Sequence, residues 1–469
     1  MMQANWQGKR IIVIGAARQG LALARYLARH HAVVIINDQR TTEQLTSEME
    51  SLAGYQIEWV TGGHSPEILD PRPDLVCVSG GVPLNNPIVV AAINQNIQIS
   101  NDTQIFMDAV PCKTVGITGS AGKTTTTTLV GRMAQSDDNH KYRRIWIGGN
   151  IGDPLLNYVD DMQPDDLAIL EISSFQSELM TSSPNVAAIL NITPNHLDRH
   201  GTMENYISAK RRVINYQSAN DCTILGRDDP AAWALAGNTH GHLLSFGNSP
   251  LPKGQNGAFI DDGKFYLREG ADSTRLPVEQ QILLRGEHNR LNTLAACTIA
   301  HAVGLSPAAM LAGIMDFRGV LHRLEYVRTY KGAEWYNDSI ATAPERTIAA
   351  IRAFDAPIIL LLGGRDKDLP WDELAKLIHE RVDHVIIFGA AAEKIENAIG
   401  QPVQGQKPYS VTRVVKCQAA VTAAAQLAKP GFIILFSPGG TSYDEFKDFE
   451  ERGERVKQWV LEFSETPAR

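Results

Sequence analysis

Short runs of β-branched and other apolar residues recur along the chain, each followed by glycine and then by a stretch whose apolar positions have helical spacing. Strands buried on both faces read as continuous apolar runs, and the helices that cross between them cover the sheet, so this is the βαβ pattern of parallel sheets. Three such blocks follow one another. The first opens on Arg10-Ile-Ile-Val-Ile-Gly15, continues with apolar runs at 32–38 and 75–79, and predicts a small Rossmann-like domain over 1–106. The second opens on Lys113-Thr-Val-Gly-Ile117, adds strands at 167–171 and 186–191, reads as short strands and turns over 221–276, and closes near Arg323. It predicts a central domain over 107–325 built on a parallel sheet. The third, over 326–469, carries runs at 357–363, 384–389 and 431–436 and a charged helix at 443–463, a second Rossmann-like unit. The predicted fold class is α/β with three domains.

A length of 469 residues agrees with that division, at roughly 150 residues per domain. A formal net charge of −8 removes the class of sequence-independent nucleic-acid binders, which need a basic face, and points to small-molecule ligands. Five scattered cysteines form no CxxC pair and leave an odd count, so neither a disulfide framework nor a zinc knuckle is expected. Reduced thiols fit a cytoplasmic location. No stretch reaches the apolar length of a membrane span and the first residues lack a leader pattern, so no membrane partner is expected.

The chemistry concentrates at Thr118-Gly-Ser-Ala-Gly-Lys-Thr-Thr125, between a strand-like run and a helix-compatible one. Successive backbone N–H groups and the positive end of the following helix cradle phosphates there, Lys123 adds a mobile charge, and the Thr124 hydroxyl suits Mg²⁺. The sequence is not a standard Walker motif, since Ile117 stands six residues before Lys123, and an ordinary strand–turn–helix loop is the alternative. In the first block, Gly15-Ala-Ala-Arg-Gln-Gly20 keeps the outer glycines of a dinucleotide fingerprint but has Ala17 at the middle position. Asp38 fits either an acceptor for a ribose hydroxyl or a capping residue at a strand end. Glu171 and Thr124 suit a hard cation, whereas by residue type alone His196 reads more readily as a structural histidine than as a ligand, and Lys210 more readily as a solvated charge.

Taken in order, TGSAGKTT, Gly148-Gly-Asn-Ile-Gly152, Glu171-Ile-Ser-Ser-Phe-Gln176, NITPNHLDRHGTMENYISAK, Gly286-Glu-His-Asn-Arg-Leu-Asn292, Leu321-His-Arg323 and Asn337-Asp-Ser-Ile-Ala-Thr342 resemble the motif series of Mur ligases over nearly the whole chain. The SSFQ pattern and Ser437-Pro-Gly-Gly-Thr-Ser-Tyr-Asp-Glu-Phe-Lys-Asp-Phe449 resemble the D-glutamate-adding members. The resemblance implies an ATP-dependent amide ligase that joins D-glutamate to UDP-N-acetylmuramoyl-L-alanine through an acyl phosphate, in peptidoglycan precursor synthesis. It also implies a P-loop ATPase fold for the central domain, small-molecule partners and two Mg²⁺ ions; a monomer is expected.

Residue by residue, the resemblance places ATP on Gly119, Ser120, Ala121, Gly122, Lys123, Thr124 and Thr125, with Asn289 and Asn292 near the adenine and Arg323 and Asp338 also on the nucleotide. Lys123, Glu171, His196 and Lys210 would be catalytic; Thr124 and Glu171 would hold one Mg²⁺, and His196 and a carbamylated Lys210 the second. Gly15, Arg18, Gln19, Asp38, Arg40 and Gly81 would take the UDP end of the substrate, and Asn150, Ser173 and Gln176 its muramoyl-alanine end. Thr342, Lys367, Ser442 and Phe449 would form the glutamate site.

The chain departs from the family pattern at three places: Ala121 for the Asn of TGSNGK, Gly80 for the Pro of SPG, and Ile340-Ala-Thr-Ala343 for Lys-Ala-Thr-Asn. The last removes a cation and an amide beside the expected acceptor, which keeps L-glutamate open as the alternative acceptor. Two readings from other classes account for less of the chain. An NAD-dependent oxidoreductase would rest on residues 15–38 and leave TGSAGKTT unexplained, and a non-catalytic ATP-binding module would be expected to have lost Glu171, His196 or Lys210.

Overall fold

The computed structural model describes residues 5–284, 286–366 and 369–464. They form two compact units, one ending at Phe317 and the other beginning at Arg318, built on three sheets.

The first sheet consists of β1 (Arg10–Ile14), β2 (Val33–Asp38), β3 (Ile57–Thr61), β4 (Leu75–Val78) and β5 (Gln98–Ser100), all parallel in the order β3-β2-β1-β4-β5. The strand order reverses between β1 and β4, and the crevice beyond their C-terminal ends is the ligand-binding place of such a sheet. The outer glycine of the first turn has a steric cause: a Cβ on Gly20 would lie 1.9 Å from Gly15 O, so only glycine lets helix Arg18–Arg29 sit this close to its own strand.

The second sheet has nine strands: β6 (Lys113–Thr118), β7 (Ile145–Gly149), β8 (Leu167–Glu171), β9 (Val186–Ile189), β10 (Cys222–Gly226), β11 (His242–Gly247), β12 (Asn256–Asp261), β13 (Lys264–Glu269) and β14 (Asp272–Leu276). Their order is β14-β13-β12-β11-β10-β9-β6-β8-β7, parallel from β7 to β12 and antiparallel at β13 and β14. The stretch read as short strands and turns therefore extends one continuous sheet. A single hydrophobic cluster runs from Val13 and Leu23 through Phe106 to Leu155, Leu170 and Ile189, so the first two sheets share a core.

The second unit carries β15 (Glu325–Tyr330), β16 (Ala333–Asn337), β17 (Ile358–Gly363), β18 (Val382–Phe388), β19 (Ser410–Arg413) and β20 (Ile433–Gly439), ordered β15-β16-β20-β17-β18-β19. All neighbours are parallel except the β15–β16 hairpin. The last helix spans Phe449–Leu461, starting six residues later than the charge pattern suggests. Asp448 caps it by accepting from Glu451 N at 2.8 Å. Before that cap, Asp444 accepts from Ala390 N and Glu445 from Cys417 N, which holds the preceding loop to the ends of other elements.

Candidate active site

Four adjacent parallel strands, β7, β8, β6 and β9, end at one edge of the central sheet and deliver Asn150, Glu171, the 119–122 loop and Asn191 side by side. Parallel pairing fixes this arrangement: Ile117 lies opposite Glu171 and Thr118 opposite Ile189. The loop leads into helix Lys123–Gln135, whose N-cap Gly122 has φ 84°. A Cβ there would be 2.2 Å from Asn292 Oδ1, so glycine is required by both backbone conformation and space. Asn292 Nδ2 in turn donates to Asn289 Oδ1 at 3.1 Å, and both lie on helix Glu287–Ala302.

Lys123 Nζ donates to Gly119 O at 2.9 Å and so lies along the loop it serves. Thr124 Oγ1 donates to Glu171 Oε2 at 2.7 Å, and Asn150 Nδ2 donates to Glu171 Oε1 at 2.8 Å. Both oxygens of a carboxylate that is only 2% exposed are thus oriented by neighbours, one of which is a hydroxyl at a helix N-terminus. Ser120, Ala121 and Thr125 complete the loop and first turn. Ser120 Oγ donates to Thr193 O at 2.9 Å and lies 3.0 Å from Tyr206 Oη.

Lys210, on helix Met203–Asn215, is 1% exposed and donates to Gly119 O at 3.0 Å and to Thr118 Oγ1 at 3.3 Å. Its ammonium lies 4.7 Å from the centre of the Tyr206 ring. Burial, together with the charge of Lys123, pulls its pKa well below the usual lysine range, against a smaller opposing pull from Glu171. The solvated-charge reading of Lys210 is therefore corrected: its helix turns it into the sheet edge. His196 is exposed, has φ 53° at the N-cap of helix Leu197–His200, and its ring packs 5.1 Å from that of Phe175. Among the described residues, no three His, Cys, Asp or Glu side chains cluster as a self-sufficient metal site. The Thr124–Glu171 oxygen pair still fits a hard cation that completes its shell with phosphate and water.

Ser173 and Gln176 form a capping box, Gln176 Oε1 accepting from Ser173 N and Oγ at 3.1 Å. Gln176 Nε2 donates to Asp102 Oδ2 at 3.3 Å, so this amide is held in one orientation. In the first block, Asp38 accepts from Ala16 N at 2.8 Å, from Arg40 N at 2.9 Å and from the Arg40 guanidinium at 3.1 Å. Burial pushes its carboxyl up, but these bonds outweigh it and hold the pKa below the usual range. Through these bonds Asp38 fastens the Gly15 turn. Gln19 and the exposed Arg18 and Gly81 rim the same crevice; Arg18 Nη1 donates to Gly152 O at 3.2 Å.

In the second unit, Asp338 follows β16 and is 4% exposed, accepting from Ser437 Oγ at 2.8 Å and Leu324 N at 3.2 Å. Burial raises its pKa to about 6. Gly439 N donates to Ala341 O at 2.9 Å, which sets the loop bearing Thr342 beside the loop bearing Ser442. The fully buried Arg452 donates to Ser339 O at 2.8 Å, Ser339 Oγ at 3.0 Å and Gly440 O at 3.1 Å, tying both loops to the helix that Phe449 begins. Arg323 is exposed in this unit, and Lys367 lies outside the described residues.

Sequence reasoning missed three groups that shape these sites. Asn191 receives Ala121 N at 2.8 Å and donates to Ala121 O at 3.1 Å, bracing the phosphate loop. Arg199 donates to Gly80 O and Val82 O at 2.9 and 2.8 Å, fastening the NHLDR segment to the first block. Arg452 is the third. The position of Asn191 just after a strand adjacent to β6 was the available signal for it; Arg199 and Arg452 looked like ordinary surface charges.

Family models for the Mur ligase MurD-like N-terminal domain, the Mur ligase middle domain and the Mur ligase glutamate ligase domain match residues 9–101, 117–300 and 322–440. The UDP-N-acetylmuramoylalanine–D-glutamate ligase of Acidobacterium capsulatum is 38% identical over 97% of this chain and 96% of its own length. That of Symbiobacterium thermophilum is 36% identical over 96% and 98%. Among solved structures, UDP-N-acetylmuramate–alanine ligase of Thermotoga maritima aligns with TM-score 0.55 at 19% identity, covering 97% of this chain and 99% of that one. MurF of Acinetobacter baumannii aligns with TM-score 0.53 at 16% identity, covering 96% and 93%. With three matching domain models and full-length relatives above one-third identity, the chain belongs to the Mur ligase family.

Proposed function

We propose that the protein is an ATP-dependent ligase that joins the amine of D-glutamate to the carboxylate of UDP-N-acetylmuramoyl-L-alanine, a step in peptidoglycan precursor synthesis in the cytoplasm. The observation that carries this reading is the cluster at the central sheet edge, where a braced phosphate loop, the Thr124–Glu171 oxygen pair and a buried, charge-depressed Lys210 meet. Full-length relatives named for this reaction support the substrates.

In this reading the amides of 119–125 and Lys123 hold the β- and γ-phosphates, and Asn289 and Asn292 lie toward the adenine. Arg323 and Asp338 also serve the nucleotide. The γ-phosphoryl group moves to the substrate carboxylate, giving an acyl phosphate and ADP; the glutamate amine then attacks the acyl carbon, phosphate leaves, and the amine gives up a proton. Two anions must approach each other in the first step, so cationic stabilisation is its main need. Mg²⁺ supplies that charge when bound: Thr124 and Glu171 would hold one ion, His196 and carbamylated Lys210 a second. The depressed pKa of Lys210 suits carbamylation, because only the neutral amine adds to CO₂. The first sheet's crevice, with Gly15, Arg18, Gln19, Asp38, Arg40 and Gly81, would take the UDP end. Asn150, Ser173 and Gln176 would face the muramoyl-alanine, and Thr342, Lys367, Ser442 and Phe449 the glutamate.

The test is phosphate release by the purified protein with ATP, Mg²⁺ and UDP-N-acetylmuramoyl-L-alanine, with D-glutamate, L-glutamate or another amino acid as acceptor. Release that requires both the UDP substrate and D-glutamate is the expected result. Ile340 and Ala343 favour the second reading, L-glutamate as acceptor, and a higher kcat/KM for that enantiomer would establish it.

A further inference from the structure

β4 ends at Val78 and leads through Ser79 into two adjacent glycines, Gly80 and Gly81, at the place where the strand order of the first sheet reverses. Neither glycine has a positive φ, and a Cβ on either would meet nothing within 4 Å, so neither backbone conformation nor crowding requires glycine here. The turn closes through one bond of its own, Val82 N to Ser79 O at 2.9 Å. Two consecutive glycines have more backbone freedom than any other pair, and that freedom is lost when the turn is ordered around a ligand.

The order comes from outside the turn. Arg199, on the short helix Leu197–His200 of the second block, donates through Nη1 to Gly80 O at 2.9 Å and through Nη2 to Val82 O at 2.8 Å. One planar guanidinium thus grips the carbonyls on both sides of the exposed Gly81. The same guanidinium lies 3.8 Å over the Phe175 ring, which packs 5.1 Å from the ring of His196. A fork held between two carbonyls and an aromatic face fixes the turn and the His196 segment to each other.

We infer that Arg199 is a positioning residue for the UDP substrate, which holds the Gly80–Val82 turn in its binding conformation before the substrate arrives. The inference rests on the ligase reading given above, which puts the UDP end of the substrate on Gly81. Such preorganisation raises affinity by removing an ordering cost from the binding step.

The test combines steady-state kinetics on the full chain with amide exchange across residues 79–84 of the substrate-free protein. Wild-type turnover is measured first; its absence with every acceptor would defeat the ligase reading, whereas unchanged exchange in Arg199→Met overturns the clamp by itself. Arg199→Met keeps an apolar stem against Phe175 and removes both donors. It should speed exchange at Val82 and raise the KM for the UDP substrate about tenfold, with the KM values for ATP and glutamate changed far less. Arg199→Lys should show the same loss, because an ammonium is a point charge that does not span two carbonyls. Gly80→Ala added to Arg199→Met should recover much of the affinity, since alanine fits the open space at this position and narrows the freedom of the turn. An unchanged KM for the UDP substrate in Arg199→Met overturns the inference. So does full affinity in Arg199→Lys, which would make the residue a charge for phosphate, or an equal rise in all three KM values that Gly80→Ala leaves unrepaired, which would mark a general structural role.

Discussion

Replacing Asp338 by asparagine should make the second unit more stable at neutral pH while weakening nucleotide use. Burial raises the Asp338 carboxyl from its usual 3.8 to about 6, so above that pH the folded protein holds an ionised group at a site that disfavours it. A shift of about two units corresponds to about 3 kcal/mol. The sign follows from proton binding: between roughly pH 4 and 6 the folded form keeps a proton that the unfolded chain has lost, so stability falls as pH rises through that window. Asparagine removes this dependence and can keep both contacts, its oxygen accepting from Leu324 N and its amide donating to Ser437 Oγ. Ser437 can then direct its own proton to Thr347 Oγ1, which lies 3.2 Å away. The net gain at pH 7.5 should be about 2–3 kcal/mol, and near pH 4 it should vanish. Urea unfolding followed by amide exchange in β16 and β20 reads this unit by itself. A gain that is equal at both pH values, or a loss at pH 7.5, would refute the reasoning. The KM for ATP should rise at the same time, because a neutral amide replaces the anionic acceptor proposed to serve the nucleotide.

Lys123→Ala should abolish ATP-dependent ligation without lowering the melting temperature, since Lys123 is half-buried at the start of its helix and donates to the carbonyls of Gly119 and Ser120 rather than packing in the core; wild-type turnover would sink the assignment. Lys210→Ala should be inactive and partly recovered by short-chain carboxylic acids that replace the carbamate, whereas full activity in bicarbonate-free buffer would show that no carbamate is needed. Gly122→Ala should raise the KM for ATP at least tenfold, because the added methyl meets Asn292 and the left-handed backbone costs about 1–2 kcal/mol; an unchanged KM would mean that the loop relaxes freely.

Most strands of the three sheets were legible because they are buried on both faces, as Ile11–Ile14 and Ile358–Leu362 are, and so appear as unbroken apolar runs. Those that were not legible lie at sheet edges or in hairpins. β3 is only half-buried, β5 has three residues, and β15 and β19 mix polar and apolar positions without a continuous apolar run. The late start of the final helix was invisible for a different reason. Residues 443–448 have helix-compatible composition, but Asp444 and Glu445 spend their carboxylates on backbone N–H groups far away in sequence. Local pattern carries no information about such partners.

The candidate site divides in the same way. Lys123, Thr124 and Glu171 were readable because a phosphate loop is a local device whose strand, turn and helix lie together in sequence. The exact state of Lys210 was not, because its hydrogen-bond partners, Thr118 and Gly119, come from β6 and the loop after it, far away in sequence. A helix pattern says that a lysine is present; burial decides whether it behaves as a cation or as an amine. The same logic applies to Arg452, which reads in sequence as one more charge on a helix. Arg452 is fully buried and donates to Ser339 O, Ser339 Oγ and Gly440 O, which holds two loops in place. Substituting Arg452 should therefore act through stability and loop order, raising the KM for the acceptor and lowering kcat together. An Arg452→Met variant that keeps both the wild-type melting temperature and the wild-type kcat would show that the two loops hold their order without these bonds.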